Sequence, residues 1–310
     1  MQFSHVPVML EECMDALNLK PTGIYFDGTL GGSGHSYEIL KRSKGGSLIA
    51  TDLDLTALAV AKDRLKEFEG KTTLVHDNFK NFKFILDELG INEIDGALLD
   101  LGVSSYQLDE RSRGFSYMAR DARLDMRMNS DATLSAYEVV NEYSEKKLKE
   151  ILYLYGEERF SANIARNIVN ERAKKPITTT GELVDIIEKS IPAKFKKDGH
   201  PAKRTFQAIR IEVNGELTGL DEVLHDIADK LKKGGRLAVI TFHSLEDRIV
   251  KHAFIDLATG CTCDRTIPVC ICGRSKKVEI LTKKPITASE VEREGNSRSL
   301  SAKLRVIEKL

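Results

Sequence analysis

Four glycines, Gly28, Gly31, Gly32 and Gly34, sit between an apolar run at residues 23–30 and a helical pattern that starts at 35. Glycine there lets the chain turn tightly and lets a ligand approach the backbone. The helix that follows offers N–H groups with no partner inside it. The spacing is not G-x-G-x-x-G, which weakens a nicotinamide oxidoreductase reading. Taken alone, the cluster is also what an ordinary strand-to-helix turn looks like. Asp52 adds to it by closing the next apolar run, 18 positions after Gly34. In nucleoside-binding α/β proteins an acid there accepts the two ribose hydroxyls. Asp54 fits better as the N-cap of the following helix. Phe79, after a third strand, could lie beside an adenine ring or simply pack the start of its helix. Asp100 ends a fourth and otherwise apolar strand, where an open sheet presents its reactive edge, and an acid in that position leans functional.

Two further groups carry chemistry. Cys261-x-Cys263 and Cys270-x-Cys272 are separated by six residues. Four thiolates in a hairpin could hold zinc tetrahedrally, but the spacing is tighter than the common C-x2-C knuckle, so a structural zinc is not favoured and no metal is assigned. Lys194, Lys196, Lys197, Lys203 and Arg204 form one basic cluster, and Arg274, Lys276, Lys277, Lys283 and Lys284 another. Each would ordinarily be a solvated face; two of them in a chain of zero net charge tilt the reading toward RNA phosphates.

The elements that must position these residues alternate. Strand patterns at 23–30, 47–52, 72–76 and 95–103 are separated by helix patterns beginning at 35, 55 and 79. The second helix shows apolar residues at 55, 58, 61, 65 and 68, one helical face. Short apolar strands joined by helices imply a parallel sheet covered on both faces. Residues 104–204 break the rhythm with an arginine-rich loop at 109–128 and helical patterns at 134–143, 145–155, 159–172 and 180–189. This reads as an inserted all-helical domain at 106–205, with the α/β domain formed by 1–105 and 206–310. A helix at 216–231, a Lys233-Gly234-Gly235 turn, a strand at 236–242 and strand-like runs at 278–281 and 302–307 complete the pattern. A helix over 207–214 puts Phe206, Ile209 and Val213 on a core face and leaves Gln207, Arg210 and Asn214 to reach substrate.

Composition bounds the class. With 310 residues, 41% hydrophobic and 30% charged, the chain reads as an ordinary globular protein. No apolar run approaches the ~20 residues of a membrane span, and residues 1–10 do not read as a secretory signal, so no membrane partner and a cytoplasmic location are expected. Five cysteines do not make a disulfide scaffold. The oligomeric state, monomer or homodimer, stays open.

Several longer motifs occur in one order: His5-x-Pro-Val, Asp27-Gly-Thr-Leu-Gly-Gly-Ser-Gly-His-Ser36, Asp95-Gly-Ala-Leu-Leu-Asp-Leu-Gly-Val-Ser-Ser105 and Arg113-Gly-Phe-Ser. They continue through Leu124-Asp-Met-Arg-Met, Tyr155-Gly-Glu-Glu-Arg-Phe160, Arg204-Thr-Phe-Gln-Ala-Ile-Arg-Ile-Glu-Val-Asn214 and Phe242-His-Ser-Leu-Glu-Asp-Arg-Ile-Val-Lys251. Over nearly its whole length the chain resembles the MraW family, which methylates N4 of a cytosine in the decoding region of 16S ribosomal RNA. The resemblance implies a class I S-adenosylmethionine-dependent methyltransferase with a Rossmann-like open sheet, acting on 16S ribosomal RNA within the small ribosomal subunit. It implies cofactor contacts at Ser33, Gly34, His35, Asp52, Phe79, Asp100 and Gln107; of these, His35 and Gln107 rest on the resemblance alone. The chain departs from the family pattern at Tyr106, Arg123 and Leu300, where the family has proline, proline and a basic residue.

The chemistry that follows is modest. The N4 amine of cytosine is a weak nucleophile because its lone pair is delocalised into the ring, whereas a sulfonium methyl is already activated. The enzyme must hold nitrogen, methyl and sulfur in line and accept hydrogen bonds from the amine. Asp100 and the carbonyl of Leu101 stand where such acceptors are expected. His243, at the end of the fifth strand, is a second catalytic candidate; residues 244–247 read more simply as a helix capping box. The base must be unstacked or single-stranded to be reached. Against this stands a non-catalytic ribosome assembly factor, which would have no use for Asp52 and Asp100.

Overall fold

The computed structural model describes residues 7–195, 199–264, 269 and 271–310, apart from the side chain at 105. It divides into two compact units, residues 1–102 with 218–310, and residues 103–217.

The first unit is built on an eight-stranded sheet. In chain order it contains α1 (Leu10–Leu17), β1 (Ile24–Asp27), α2 (Gly34–Arg42), β2 (Ser47–Asp52), α3 (Leu55–Arg64), β3 (Thr72–His76), α4 (Phe82–Glu88) and β4 (Ile94–Asp100). The second unit supplies the next six helices, α5 (Ser105–Asp109), α6 (Ala136–Glu142), α7 (Glu145–Gly156), α8 (Ser161–Arg172), α9 (Thr180–Ser190) and α10 (Lys203–Asn214). The first then resumes with α11 (Leu220–Lys230), β5 (Leu231–Thr241), α12 (Ser244–Ala258), β6 (Val278–Ile280), β7 (Ile286–Thr287), α13 (Glu290–Gly295) and β8 (Lys303–Lys309).

The strand order is β3-β2-β1-β4-β5-β8-β6, with β7 paired to β8. Pairings from β3 to β5 are parallel; those made by β8 are antiparallel. Successive strand residues point to opposite faces. Phe26, Ala97, Leu99, Leu237 and Val239 accordingly enter a core with α4, α11 and α12. Tyr25, Leu98, Ala238 and Ile240 enter the other, with α1 and α2. Burial on both faces explains why β4 is apolar between Asp95, which accepts the N–H of Ile24 and pairs with Lys232, and its last residue, Asp100.

Three details differ from the sequence reading. That reading assigns no element to α1, β7 or α13. The fifth strand begins at Leu231 and runs through the expected turn: its pairing with β4 shifts between Ile94 and Gly96, and Gly234 absorbs the irregularity at φ +73°. The helical unit also extends beyond 106–205. Phe206, Ala208, Ile209 and Val213 of α10 are buried with Leu148, Ile151 and Leu152 of α7 and with the other helices of that unit. The two helices approach so closely that a Cβ on Gly156 would lie 2.7 Å from the carbonyl oxygen of Arg204. The helix assigned by sequence to the α/β domain therefore belongs to the helical core.

Candidate active site

Three adjacent parallel strands, β2, β1 and β4, end on one edge of the sheet in Asp52, Asp27 and Asp100. The connection from β1 to α2 lies over this edge and is held there by β2. Gly31 donates its N–H to Asp52 Oδ2 at 2.8 Å, and Leu30 donates to the carbonyl of Thr51 at 3.0 Å. The Thr51 hydroxyl donates to the carbonyl of Gly28 at 2.9 Å, and Arg64 Nη1 donates to that of Gly32 at 2.7 Å. Glycine is required where the packing is tightest. A Cβ on Gly28 would come within 2.3 Å of Leu99 Cδ2 and 2.8 Å of Phe79 Cβ; one on Gly34 would come within 2.2 Å of Pro7 Cγ. Ser33 is buried in the left-handed region at φ +55°, a conformation that costs a non-glycine residue about 1–2 kcal/mol.

Asp52 already uses both carboxylate oxygens on the backbone, Oδ2 for Gly31 and Oδ1 for the N–H of Asp54 at 2.8 Å. Each oxygen keeps a second lone pair, so the group can still accept a pair of hydroxyls. Burial, reinforced by Asp54 and Asp27 and opposed by the two N–H donors, raises its pKa to about 6. Asp54 is the N-cap of α3, as its spacing predicts, and accepts the N–H of Thr56.

Asp100 is positioned through its backbone: its N–H donates to the Thr29 hydroxyl at 2.6 Å. Its side chain is 27% exposed overall, yet Oδ1 is fully buried and has no hydrogen-bond partner among the described residues. Burial first, then the charges of Asp27 and Glu246, push its pKa up to about 8. A buried acceptor left unmade is costly, and an N–H donor or a nearby cation would relieve it. His35 connects this group to the segment preceding α1. Its Nε2 lies 3.0 Å from the carbonyl of Val8 and its Nδ1 3.8 Å from Asp100 Oδ2. With the proton on Nε2, the ring donates to Val8 and turns its lone pair toward the carboxyl group.

Asp27 and Thr29 were missed as site residues by the sequence reading. Asp27 is buried; Oδ2 accepts the Ser36 hydroxyl at 2.6 Å and Oδ1 the N–H of Thr29 at 3.1 Å. Burial raises its pKa, and these bonds offset part of the rise. The available signal was the parallel with Asp52 and Asp100: an acid as the last residue of an apolar strand.

The structure thus gathers Ser33, Gly34, His35, Asp52, Phe79 and Asp100 in one unit, around the β1–α2 connection and the strand ends. Gln107 lies in the helical unit, where its Oε1 accepts the N–H of Ser104 in the capping box of α5. His243 is the N-cap of α12. Its Nδ1 accepts the N–H of Glu246, and Glu246 Oε2 accepts the N–H of Phe242. His243 Nε2 stands 3.1 Å from Glu246 Oε1 but out of line for a hydrogen bond. The capping box therefore begins one residue earlier than the sequence suggests and engages Nδ1 of the imidazole, while Nε2 is buried without a hydrogen bond among the described residues.

The expected RNA-facing groups are redistributed. Arg274, Lys276 and Lys277 pair with Asp256, Glu279 and Asp229. Gln207, Arg210 and Asn214 are engaged inside the helical unit with Tyr155, Glu216 and Met126. Lys196 and Lys197 lie outside the described residues. Arg111 and Arg123 are exposed in the arginine-rich loop.

An acidic strand-end row, a glycine-rich connection and an unmatched buried acceptor fit a nucleoside that carries positive charge, such as S-adenosylmethionine. The comparisons agree. Over 311 residues, spanning all of both chains, the sequence is 58% identical to the ribosomal RNA small subunit methyltransferase H of Clostridium botulinum (strain Kyoto / Type A2). It is 54% identical over 312 residues to the protein of that name from Clostridioides difficile (strain 630), again over the full length of both. An rRNA methylase structure from Streptococcus thermophilus aligns over 99% of each chain at 13% identity and a TM-score of 0.43, too loose a match to weigh. The α/β sheet is of the class I methyltransferase type. The model of the MraW methylase family matches residues 2–310, and the chain belongs to that family of S-adenosylmethionine-dependent methyltransferases.

Proposed function

We propose that the chain transfers the methyl group of S-adenosylmethionine to the N4 amine of a cytosine in the decoding region of 16S ribosomal RNA, acting on the small ribosomal subunit in the cytoplasm. The observation that carries the chemistry is Asp100 Oδ1, a buried acceptor without a donor at the end of β4. The small-subunit substrate is taken from the name borne by the full-length relatives.

The cofactor supplies a methyl group on a positively charged sulfur. The chain's own groups do the rest. Asp52 accepts the ribose hydroxyls with its free lone pairs, while Gly31 and Asp54 hold it in place. Phe79, packed against Gly28, lies beside the adenine. Ser33, Gly34 and His35 bring backbone and imidazole to the cofactor. Asp100 accepts a hydrogen bond from the amine. As nitrogen attacks, the amine becomes more positive, so an ionised Asp100 stabilises the transition state more than the ground state. His243, its Nδ1 held by the α12 cap, fixes the end of β5. The helical unit reads the RNA, with Arg111 and Arg123 as phosphate contacts.

Incubation with methyl-labelled S-adenosylmethionine and isolated ribosomal subunits tests this reading. Label is expected in the RNA of the small subunit only. Label confined to the large subunit, or none in either, would overturn it.

A further inference from the structure

The cysteine-rich segment between α12 and β6 takes no part in the carboxylate site. Cys270 lies outside the described residues. The other three converge: the Sγ atoms of Cys261, Cys263 and Cys272 lie within 4.8 Å of one another. Those of Cys261 and Cys272 are 3.7 Å apart. A disulfide would bring two sulfurs to about 2.05 Å. Zinc–thiolate bonds of about 2.3 Å directed to the corners of a tetrahedron separate the sulfurs by about 3.8 Å. The gap, spanned by a hydrogen bond from the Cys272 thiol to Cys261, is far too long for a disulfide and matches the edge of a zinc–sulfur tetrahedron. A second feature points the same way. The N–H of Ile271 donates to Cys263 Sγ at 3.4 Å, the kind of bond that orients a metal-bound thiolate and stabilises its charge.

Among the described residues of the segment, the large apolar side chains of Val269 and Ile271 are 71% and 78% exposed, so they add no core. Its described fastenings to α12 are polar: the N–H of Lys277 donates to the carbonyl of Leu257 at 3.0 Å, and Arg274 pairs with Asp256. Where too few apolar side chains are buried to order a short segment, a metal substitutes for them.

We propose that Cys261, Cys263 and Cys272 bind one structural zinc ion as thiolates, with a water in the fourth position. Each of the three thiols releases its proton to solvent as its sulfur donates a lone pair to the metal, so binding weakens as pH falls. The site lies apart from Asp27, Asp52 and Asp100 in sequence and chemistry, and its role is to order the segment between α12 and β6.

The test is metal analysis of the untagged full-length chain, purified without added zinc or chelator. About one zinc per chain is expected, falling below about a tenth of an equivalent in Cys263→Ser. Affinity for S-adenosylmethionine should be unchanged in that variant, showing that it is folded. Replacing zinc with cobalt(II) should give sulfur-to-metal charge-transfer absorption and the visible bands of a tetrahedral thiolate site. Wild-type protein with less than about a tenth of an equivalent of zinc would overturn the proposal. So would a mass showing a disulfide among these cysteines, the absorption of an iron–sulfur cluster, or full zinc retention by Cys263→Ser.

Discussion

Asp100 faces opposed demands. To stabilise the positive charge growing on an attacking amine it must be ionised, yet burial and its acidic neighbours hold its pKa near 8. The positive charge of a bound sulfonium would lower that pKa and let the proton leave to solvent. The sign of the pH effect follows. A carboxyl group with a pKa above its unfolded value of 3.8 favours the fold while protonated, and that contribution is lost as pH rises through about 8. The cofactor-free protein should therefore melt at progressively lower temperature between about pH 4 and about pH 8, and Asp100→Asn should flatten this fall. A variant as pH-sensitive as wild type would assign the effect to other groups. In catalysis, Asp100→Asn should lower kcat on small subunits by about 100-fold, the scale of one preorganised electrostatic contact, with little change in cofactor affinity. Wild-type kcat at saturation would remove Asp100 from the chemistry. Asp52→Ala should show the reverse pattern. It loses the ribose acceptor and frees the N–H of Gly31, so cofactor binding measured by calorimetry should weaken by at least about tenfold. An unchanged dissociation constant would take Asp52 out of the site.

At the scale of elements, the β1–α2 connection is the part on which the site depends. A Cβ on Gly34 would meet the ring of Pro7, which cannot yield as a long flexible side chain can. Gly34→Ala should displace the Pro7–Val8 segment, break the bond from His35 to Val8 and weaken cofactor binding, while far-UV circular dichroism reports an intact sheet. Cofactor affinity equal to wild type would show that the segment bends without consequence. The glycine spacing and the acids at the ends of β2 and β4 were legible from sequence because each is a departure from the local pattern: glycines in a row, or a charge closing an apolar strand. Asp27 obeys the same rule but lies inside the glycine motif, which drew the reading to the glycines. The antiparallel insertion of β8 between β5 and β6 was not legible, since strand order is decided by tertiary packing and leaves no periodicity of its own. His243 was misplaced by one position in the cap, because an imidazole nitrogen is a less familiar acceptor for a helix N–H than a serine hydroxyl.

For the whole molecule, the boundary of the helical unit decides how it can be removed. Cutting at 204 would leave α10 attached with Phe206 and Ile209 stripped of their partners. Replacing residues 103–217 by a short linker removes the unit whole. The truncated chain should retain S-adenosylmethionine binding and should lose RNA methylation. Methylation at the intact rate would show that the helices do not read the substrate. Within the full chain, Arg111→Glu with Arg123→Glu should weaken subunit binding and reduce its dependence on salt, because each lost phosphate contact releases fewer counterions. The central claim, methyl transfer to a cytosine amine, is tested most directly by identifying the product. Small subunits lacking the modification are methylated by the full chain, the 16S ribosomal RNA is digested, and the modified nucleoside and its fragment are identified by mass spectrometry. The account predicts N4-methylated cytidine in a fragment of the decoding region. A methyl group on carbon 5, on a ribose, on another base or in another part of the RNA would contradict it.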